Sequence, residues 1–381
     1  MKKTLLATAI AGAAFASGAQ AATIYNEDGT KLDLYGNIQI AYKSIDQGAN
    51  GSEDEIFDNG STIGFAGEHL ITRDLTGYFK AEVEHDADEA KTAGGLDTGD
   101  QAYLGLKGNF GDLRVGSWDP LIDDWIQDPI TNNEFFDVSD SNGRIVGIES
   151  REGDKFTYTS PSFNGFTFAV GTQYEGDAEG DAEGGGTVNT GGDTGANITV
   201  SDETGSNASA FAGVEYSAGA FSIAAVYDDL GNNDGTFTGT DADGNAVSGD
   251  YDAGEQYGIT GQYTVDTLRV ALKLERFQSD SDFLADTNYY GVGARYGYGN
   301  GDIYGAYQYV DVGGDDFTDT ADAAFTSGDF PNEVSDESYN EIVLGVTYNV
   351  SDAMYTFIEG AMYDRENDED DGVAVGAVYL F

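Results

Sequence analysis

The chain has no cysteine, and only four prolines, two tryptophans and seventeen lysines or arginines among its 381 residues. Without cysteine, neither a disulfide nor a thiolate metal site can hold the fold. No stretch approaches the ~20 consecutive apolar residues that a membrane helix requires. The 69 acidic residues give a formal net charge of −52, which excludes nucleic acid as a partner because its phosphates would be repelled.

The first 21 residues predict a cleaved signal peptide. Lys2 and Lys3 precede an apolar run over residues 5–16, and Ala19-Gln20-Ala21 has the small-x-small form of a signal-peptidase site. We therefore expect export across the inner membrane and one mature domain over residues 22–381. Since the leader carries two lysines and no acid, the mature chain has a formal charge of −54.

Apolar and polar side chains alternate along many segments of the mature chain. Between residues 32 and 43, the even positions include Leu32, Leu34, Ile38, Ile40 and Tyr42, and the odd positions include Asp33, Asn37, Gln39 and Lys43. Successive side chains of a strand point to opposite faces, so this period of two indicates strands with one apolar and one polar face. The same alternation returns near residues 79–84, 269–275 and 341–349.

Long, glycine-rich, acidic connections alternate with short turns between these segments. The long connections are predicted near residues 45–58, 87–99, 119–142, 175–207, 229–253, 278–286, 312–337 and 365–370. The short turns are predicted at residues 71–74, 109–111, 161–164, 217–219, 265–266, 299–300 and 349–352. This plan predicts an all-β fold: a transmembrane antiparallel β-barrel of sixteen strands around a polar interior, with both termini on the short-turn side.

Eight short motifs are spread along the mature chain. They are residues 24–29 (IYNEDG), 33–36 (DLYG), 64–68 (GFAGE), 74–78 (DLTGY), 102–107 (AYLGLK), 158–166 (YTSPSFNGF), 373–376 (VAVG) and 379–381 (YLF). In this order they resemble the general, non-specific porins of Gram-negative outer membranes. The resemblance implies a passive, water-filled channel for ions and small hydrophilic solutes, and a homotrimer embedded in outer-membrane lipid and lipopolysaccharide. It also implies that Tyr379 and Phe381 belong to a C-terminal insertion signal, read by the barrel-assembly machinery.

The same resemblance implies that the third long loop folds into the lumen and forms a pore constriction. Residues 133–137 (NEFFD) stand where the family often has Glu-Phe-Gly-Gly-Asp, so Glu134 and Asp137 are the expected constriction acids, and Arg144 matches a wall arginine. Three other positions that are usually basic carry neutral or acidic residues, namely Asn37, Thr62 and Asp100. Together with the acid excess, this pattern predicts a preference for cations.

Other charged residues fall on the predicted lumen face and are candidates to replace the missing basic cluster. They are Lys80, Arg269, Lys273 and Arg295, with Glu82 beside Lys80. A solvated lumen charge without any role in selectivity explains each of them equally well. The sequence contains no recognisable catalytic constellation and implies no cofactor.

Two acidic segments were considered as metal sites and set aside. These are residues 84–89 and the Asp241, Asp243 and Asn245 spacing, which lacks the glycine and terminal glutamate of a calcium loop. Two alternative functions stay open at this level. One is an outer-membrane adhesin or receptor barrel that binds through its long acidic loops, and the other is a soluble, secreted, acidic β protein.

Overall fold

The computed structural model describes residues 21–89, 96–131, 133–144, 152–174, 187–189, 197–202, 207–240, 246–281, 285–314, 338–364 and 370–381. The predicted signal peptide lies outside the described residues, except for Ala21. In the described part of the chain, no helix is long and apolar enough to cross a membrane, a finding that does not bear on strands.

Antiparallel strands make up almost all of the described chain. Their bounds are β1 (Ala22–Glu27), β2 (Thr30–Asp46), β3 (Ser52–Asp58), β4 (Thr62–Thr72), β5 (Leu75–His85), β6 (Leu96–Gly108), β7 (Gly111–Ser117), β8 (Lys155–Thr159), β9 (Phe166–Tyr174), β10 (Thr187–Asn189), β11 (Asn197–Asp202), β12 (Ala208–Ala218), β13 (Phe221–Asp229), β14 (Asp234–Thr240), β15 (Ala246–Asp252), β16 (Glu255–Val265), β17 (Leu268–Gln278), β18 (Thr287–Gly297), β19 (Asp302–Val312), β20 (Tyr339–Ser351), β21 (Met354–Tyr363) and β22 (Gly372–Leu380). The helical pieces are short: Gly48–Asn50, Asp123–Gln127 and Asn142–Arg144.

The main strands close into one barrel with sixteen strand places around its ring, which confirms the predicted fold. β3 and β4 share one position, because both pair with β2. β10, β11, β14 and β15 form a separate four-stranded sheet, and β1 is a short hairpin arm on β2. β22 closes the ring against β2, where Gly36 and Phe381 exchange two backbone hydrogen bonds of 3.0 Å. Closure leaves no strand edge to be satisfied by lipid.

The connections follow the predicted alternation of long loops and short turns, with one exception. The prediction of a first long loop near residues 45–58 is wrong, because the chain reverses within residues 47–51 and then continues as β3. One acidic residue of β3, Glu55, is held by a cross-strand partner. Lys43 lies opposite Glu55, with 2.7 Å between its ammonium nitrogen and the carboxylate oxygen, and opposite charges facing each other stabilise a strand pair.

The two faces of the barrel differ in polarity. Large apolar side chains project outward, and Leu104, Leu272 and Leu344 are each about 60% exposed in the isolated chain. The alternate residues of the same strands point inward and are polar, as Lys273 and Glu341 illustrate. An apolar outer band around a polar interior is the arrangement of membrane-spanning β-barrels.

Candidate functional site: the barrel interior

The segment between β7 and β8 lies against the inner wall of the barrel. We call residues 118–144 the inner loop. Ile126 and Ile130 of this loop are almost fully buried. Glycines on the wall make room for them, because a Cβ atom at Gly258 would lie 2.5 Å from Ile126, and one at Gly291 would lie 2.2 Å from Ile130. Side chains at these wall positions would therefore displace the loop.

A buried wall glutamate in β21 holds the tip of the inner loop. Glu359 accepts hydrogen bonds from the backbone N–H groups of Glu134 (2.8 Å), Phe135 (3.0 Å) and Phe136. The hydroxyl of Tyr304, on β19, donates to the same carboxylate. Hydrogen bonds to an ionised carboxylate are among the stronger ones in proteins. Glu359 therefore fixes three consecutive residues of the loop.

Two further wall glutamates hold the next part of the inner loop. Glu341 accepts a hydrogen bond from the backbone N–H of Ser139 (2.8 Å), and Glu275 accepts one from that of Ser141 (2.9 Å). Glu275 also forms a 2.8 Å ion pair with Lys273, and both side chains are fully buried. Lys273 therefore points inward but lies beneath the inner loop.

Glu134, one of the two expected constriction acids, has a basic partner. One carboxylate oxygen lies 3.2 Å from the guanidinium of Arg295, and the other accepts a 2.9 Å hydrogen bond from the hydroxyl of Tyr355. Arg295 also lies 3.4 Å from Asp302 and over the ring of Tyr304. Burial raises the pKa of Glu134, although both Tyr355 and Arg295 act to lower it. The structure thus brings together two of the residues singled out from the sequence.

Asp137, the other expected constriction acid, is exposed inside the barrel. Its carboxylate accepts a 2.7 Å hydrogen bond from the backbone N–H of Val138. Among the side chains that the structure describes, no lysine or arginine lies within ion-pair distance of it. The carboxylate is accessible from the lumen, but the surrounding protein removes part of its hydration. This desolvation and repulsion from Asp140 raise the pKa of Asp137 to about 7.

Two aspartates that the sequence did not single out share this environment. Asp124 and Asp128 lie on the exposed side of the helical turn Asp123–Gln127, whose other side packs on the wall. Desolvation by the surrounding barrel is the main cause that raises the pKa of Asp124 to about 7 and that of Asp128 to about 6, and repulsion among neighbouring aspartates adds to it. The inner loop therefore presents several carboxylates to the interior.

Two aromatic side chains lie at the tip of the inner loop. Phe136 is buried in a cluster of inner-wall residues. The ring of Phe135 lies 4.8 Å from that of Phe57 and 4.7 Å from that of Phe136, measured between centroids. These rings fill the space between the loop tip and the wall. The loop here is held by apolar contact as well as by Glu359.

The remaining candidates on the wall are spread over different strands. Lys80 lies 3.5 Å from Glu82 and donates a hydrogen bond to Gln101 (3.1 Å), whose amide in turn donates to Asp119 at the start of the inner loop (2.8 Å). Arg269 lies directly opposite Arg295 in the pairing of β17 with β18, and its Nε atom is buried without a hydrogen-bond partner. These residues do not form one basic cluster.

The other predicted residues lie at the ends of the site or of the chain. Arg144 ends the short helix Asn142–Arg144, and its side chain lies outside the described residues. Tyr379 is half exposed on the outer face, and Phe381 packs on Gly36 at the barrel seam. Residues 241–245 lie outside the described part of the chain. In the described part, no group of three or more acidic or histidine side chains could hold a metal ion.

A basic and aromatic cluster on the opposite part of the wall was missed by the sequence reasoning. Arg114 lies 4.5 Å from the ring centroid of Tyr103 and 5.2 Å from that of Trp118. The ammonium of Lys155 lies 5.0 Å from the Trp118 ring. The signal that could have found Arg114 is its position between Leu113 and the exposed Val115 in an alternating strand.

Comparison with known proteins adds independent information. A profile of the Gram-negative porin family matches residues 7–368. A protein named monosaccharide porin, from a Halomonas species, is 56% identical over 394 aligned positions, which cover all of both chains.

Two solved structures are similar in fold. An anion-selective porin from Comamonas acidovorans gives a TM-score of 0.64 at 16% identity, over 92% of this chain and all of that one. The trimer form of OmpT from Vibrio cholerae gives 0.59 at 16% identity, over 93% of this chain and all of that one.

Proposed function

The chain belongs to the Gram-negative porin family, and from this premise we propose that its barrel is a cation-preferring channel for ions and small hydrophilic solutes. Family membership gives the coarser statements directly: the protein is an outer-membrane porin, and family and fold indicate a passive channel rather than an enzyme. The reading as a soluble secreted protein is therefore wrong. What we add is the sign of the charge preference and the residues that produce it.

The observation that carries the proposal is the imbalance of charge on the inner loop. Asp124, Asp128 and Asp137 are exposed to the interior, and no described basic side chain pairs with them. The negative charge of Glu134 offsets the positive charge of Arg295, which contacts the loop tip. A passage lined by one sign of charge concentrates counter-ions and lowers their entry barrier. The loop carboxylates therefore favour cations.

Distance limits how many of the other acids contribute. At physiological salt, charges farther than about 8 Å from the ion path are largely screened. Acids beyond this distance therefore affect permeation little. The similar fold of an anion-selective porin is consistent with this view, since charge preference depends on side chains near the path and not on the barrel.

The test is a reversal potential under a KCl gradient in a planar bilayer. The double variant Glu134→Gln with Asp137→Asn removes one carboxylate facing Arg295 and one that lacks a basic partner, so we expect a marked loss of cation preference. The matched control is Asp54→Asn with Asp88→Asn, two exposed acids on the external side of the barrel that do not belong to the inner loop. Neutralising two acids in residues 175–207 should have equally little effect. Anion preference in the unmodified protein, or equal shifts of the reversal potential in both double variants, would refute the proposal that Glu134 and Asp137 set the charge preference at the constriction.

Neutral solutes of monosaccharide size are the second part of the proposal. Support comes from the relative named monosaccharide porin, which aligns over its whole length. Liposome swelling measures uptake of neutral solutes directly, and we expect faster swelling in a monosaccharide than in a trisaccharide. Equal swelling rates, or none above protein-free liposomes, would contradict this part.

Assembly and biogenesis are proposed from the family. We expect a homotrimer, as in the trimer form of the similar OmpT structure, contacting outer-membrane lipid and lipopolysaccharide. Native mass measurement in detergent should give three chains that separate on heating. We also expect Phe381 and Tyr379 to be read by the barrel-assembly machinery, so Phe381→Ala should lower the amount of folded protein in the outer membrane.

An adhesin or receptor role for the long acidic loops remains the alternative. It predicts specific retention of cells or ligands on the purified protein, and no ion conductance. Conductance in the bilayer experiment separates the two functions.

A further inference from the structure

A second loop folds onto the inner wall, on the external side of the inner loop. We propose that this segment, residues 230–240 and 246–254 between β13 and β16, is a fixed external narrowing that limits the size of permeating solutes. We call it the mouth loop, and it carries the hairpin of β14 and β15. The inference rests on channel function, which the family establishes, and not on cation preference.

Neighbouring strands carry apolar side chains on the inner face of the barrel at their external ends. Phe277 of β17 points to the same side as Glu275, which binds the inner loop, because the two are two positions apart in one strand. Val310 of β19 points to the same side as Gln308, whose amide donates to the inner loop. The inner face of a water-filled barrel is normally polar. Apolar side chains there would contact water unless another part of the chain packed on them.

The mouth loop covers these apolar side chains. Leu230, Tyr251 and Ala253 are at most 1% exposed. They form one buried cluster with side chains of the inner wall, namely Phe277, Tyr289, Val310 and Val312. Burial of apolar surface is the main favourable term in protein packing. The contact therefore holds the loop against the wall instead of leaving it free above the barrel. We call this cluster the seat.

Hydrogen bonds fix the base of the mouth loop beside the seat. The backbone N–H of Asp252 donates to the Ser281 hydroxyl (2.9 Å), and that hydroxyl donates to the carbonyl of Asp252 (2.8 Å). The backbone N–H of Leu230 donates to the carbonyl of Gly254 (2.9 Å). Gly254 has a φ of +89°, and a Cβ atom there would lie 2.1 Å from the carbonyl oxygen of Gln278. Only glycine fits this close approach.

The seat lies farther out than the anchors of the inner loop. β17 begins after the short turn at residues 266–267 and runs toward the long-loop side, which is external in barrels of this kind. Phe277 follows Glu275 by two residues, which is ~7 Å along an extended strand. A solute entering from outside thus meets the mouth loop first and the inner loop second. The mouth loop screens solutes by size, whereas the inner loop carries the unpaired carboxylates.

Two variants test the seat through solute size. Leu230→Ser with Tyr251→Ser removes the apolar contact, and replacement of residues 234–250 by Gly-Gly removes the hairpin itself. We expect each to raise the trisaccharide-to-monosaccharide ratio of liposome-swelling rates at least about threefold, because pore width sets the permeation of neutral solutes. The matched control is Thr236→Ala with Asp250→Ala, a cross-strand pair exposed on the same hairpin, which should leave the ratio unchanged.

The unmodified protein offers a measurement that does not depend on the folding of a variant. In a planar bilayer, polyethylene glycols that enter the channel lower its conductance. We expect polymers to be excluded at a smaller size when added on the external side than on the periplasmic side. Equal exclusion from both sides, an unchanged swelling ratio in both variants, or an equal rise in the control would overturn the proposal. The reversal potential of the seat variant should stay at the unmodified value, so failure of cation preference is recognised separately.

Discussion

We expect the position of the inner loop to depend more on Glu359 than on any other single residue, because Glu359 holds the tip of that loop. In Glu359→Gln, one carboxylate oxygen becomes an NH₂ group. If the remaining oxygen keeps the bonds from Phe135 and Phe136, the new amide faces the N–H of Glu134 and leaves it without an acceptor. A buried unsatisfied donor costs about 1–3 kcal/mol, and loss of charge on the two remaining bonds costs about 0.5–1 kcal/mol each.

The total is about 2–5 kcal/mol, and its lower end corresponds to about a thirtyfold change in the equilibrium between held and released loop. Hydrogen exchange of peptides covering residues 133–138 should therefore speed up by about thirtyfold or more. Single-channel recordings should show more open-state current noise. The matched control is Glu215→Gln, because Glu215 accepts a hydrogen bond from Ser217 and, among the residues that the structure describes, forms no hydrogen bond with the inner loop. Unchanged exchange in Glu359→Gln, or equal acceleration in the control, would refute the anchoring role.

Two further predictions concern the same loop. The cation preference should fall as pH is lowered from 8 to 5, because the pKa values of Asp124 and Asp137 (about 7) and of Asp128 (about 6) make these carboxyls neutral over this range; a reversal potential that does not change with pH would contradict it. Gly293→Ala should destabilise the barrel by about 1–3 kcal/mol through overpacking, since its Cβ would lie 2.5 Å from the carbonyl oxygen of Ile130. The midpoint of urea unfolding measures this, and Gly261→Ala is the control because nothing lies within 4 Å of a Cβ there.

The barrel was predictable because its signals are local. Alternation of side chains and the spacing of glycine-rich connections are properties of neighbouring residues, and they were enough to count sixteen strands. The error at residues 45–58 has a non-local cause. The acidic composition of this segment favours a loop, whereas Glu55 is held in a strand by Lys43 across the hairpin. Strand pairing that depends on a partner twelve residues away does not register as local composition.

The site was predictable only as a set of candidates. Glu134 and Arg295 were both singled out, yet their contact joins residues 161 positions apart, and alternation says only that Arg295 faces inward. The anchoring role of Glu359 also depends on contacts between distant segments. A lumen-facing glutamate looks the same in sequence whether it meets water or three backbone N–H groups. Tyr251 in the mouth loop is a similar case, since one tyrosine in an acidic, glycine-rich segment carries no periodic signal.

The acidic residues of this barrel therefore fall into two classes with opposite experimental signatures. The first class is buried and accepts hydrogen bonds from backbone N–H groups of the inner loop; it consists of Glu275, Glu341 and Glu359. Neutralising one of these residues should change the position of the inner loop more than the electric field along the ion path. Asp124 and Asp137 are exposed on that loop, so neutralising them should alter the field and leave the loop in place. Because the first class holds the second, a variant of Glu359 should also change ion preference, but together with faster hydrogen exchange. A change in ion preference without faster exchange identifies a residue that acts on the ion directly.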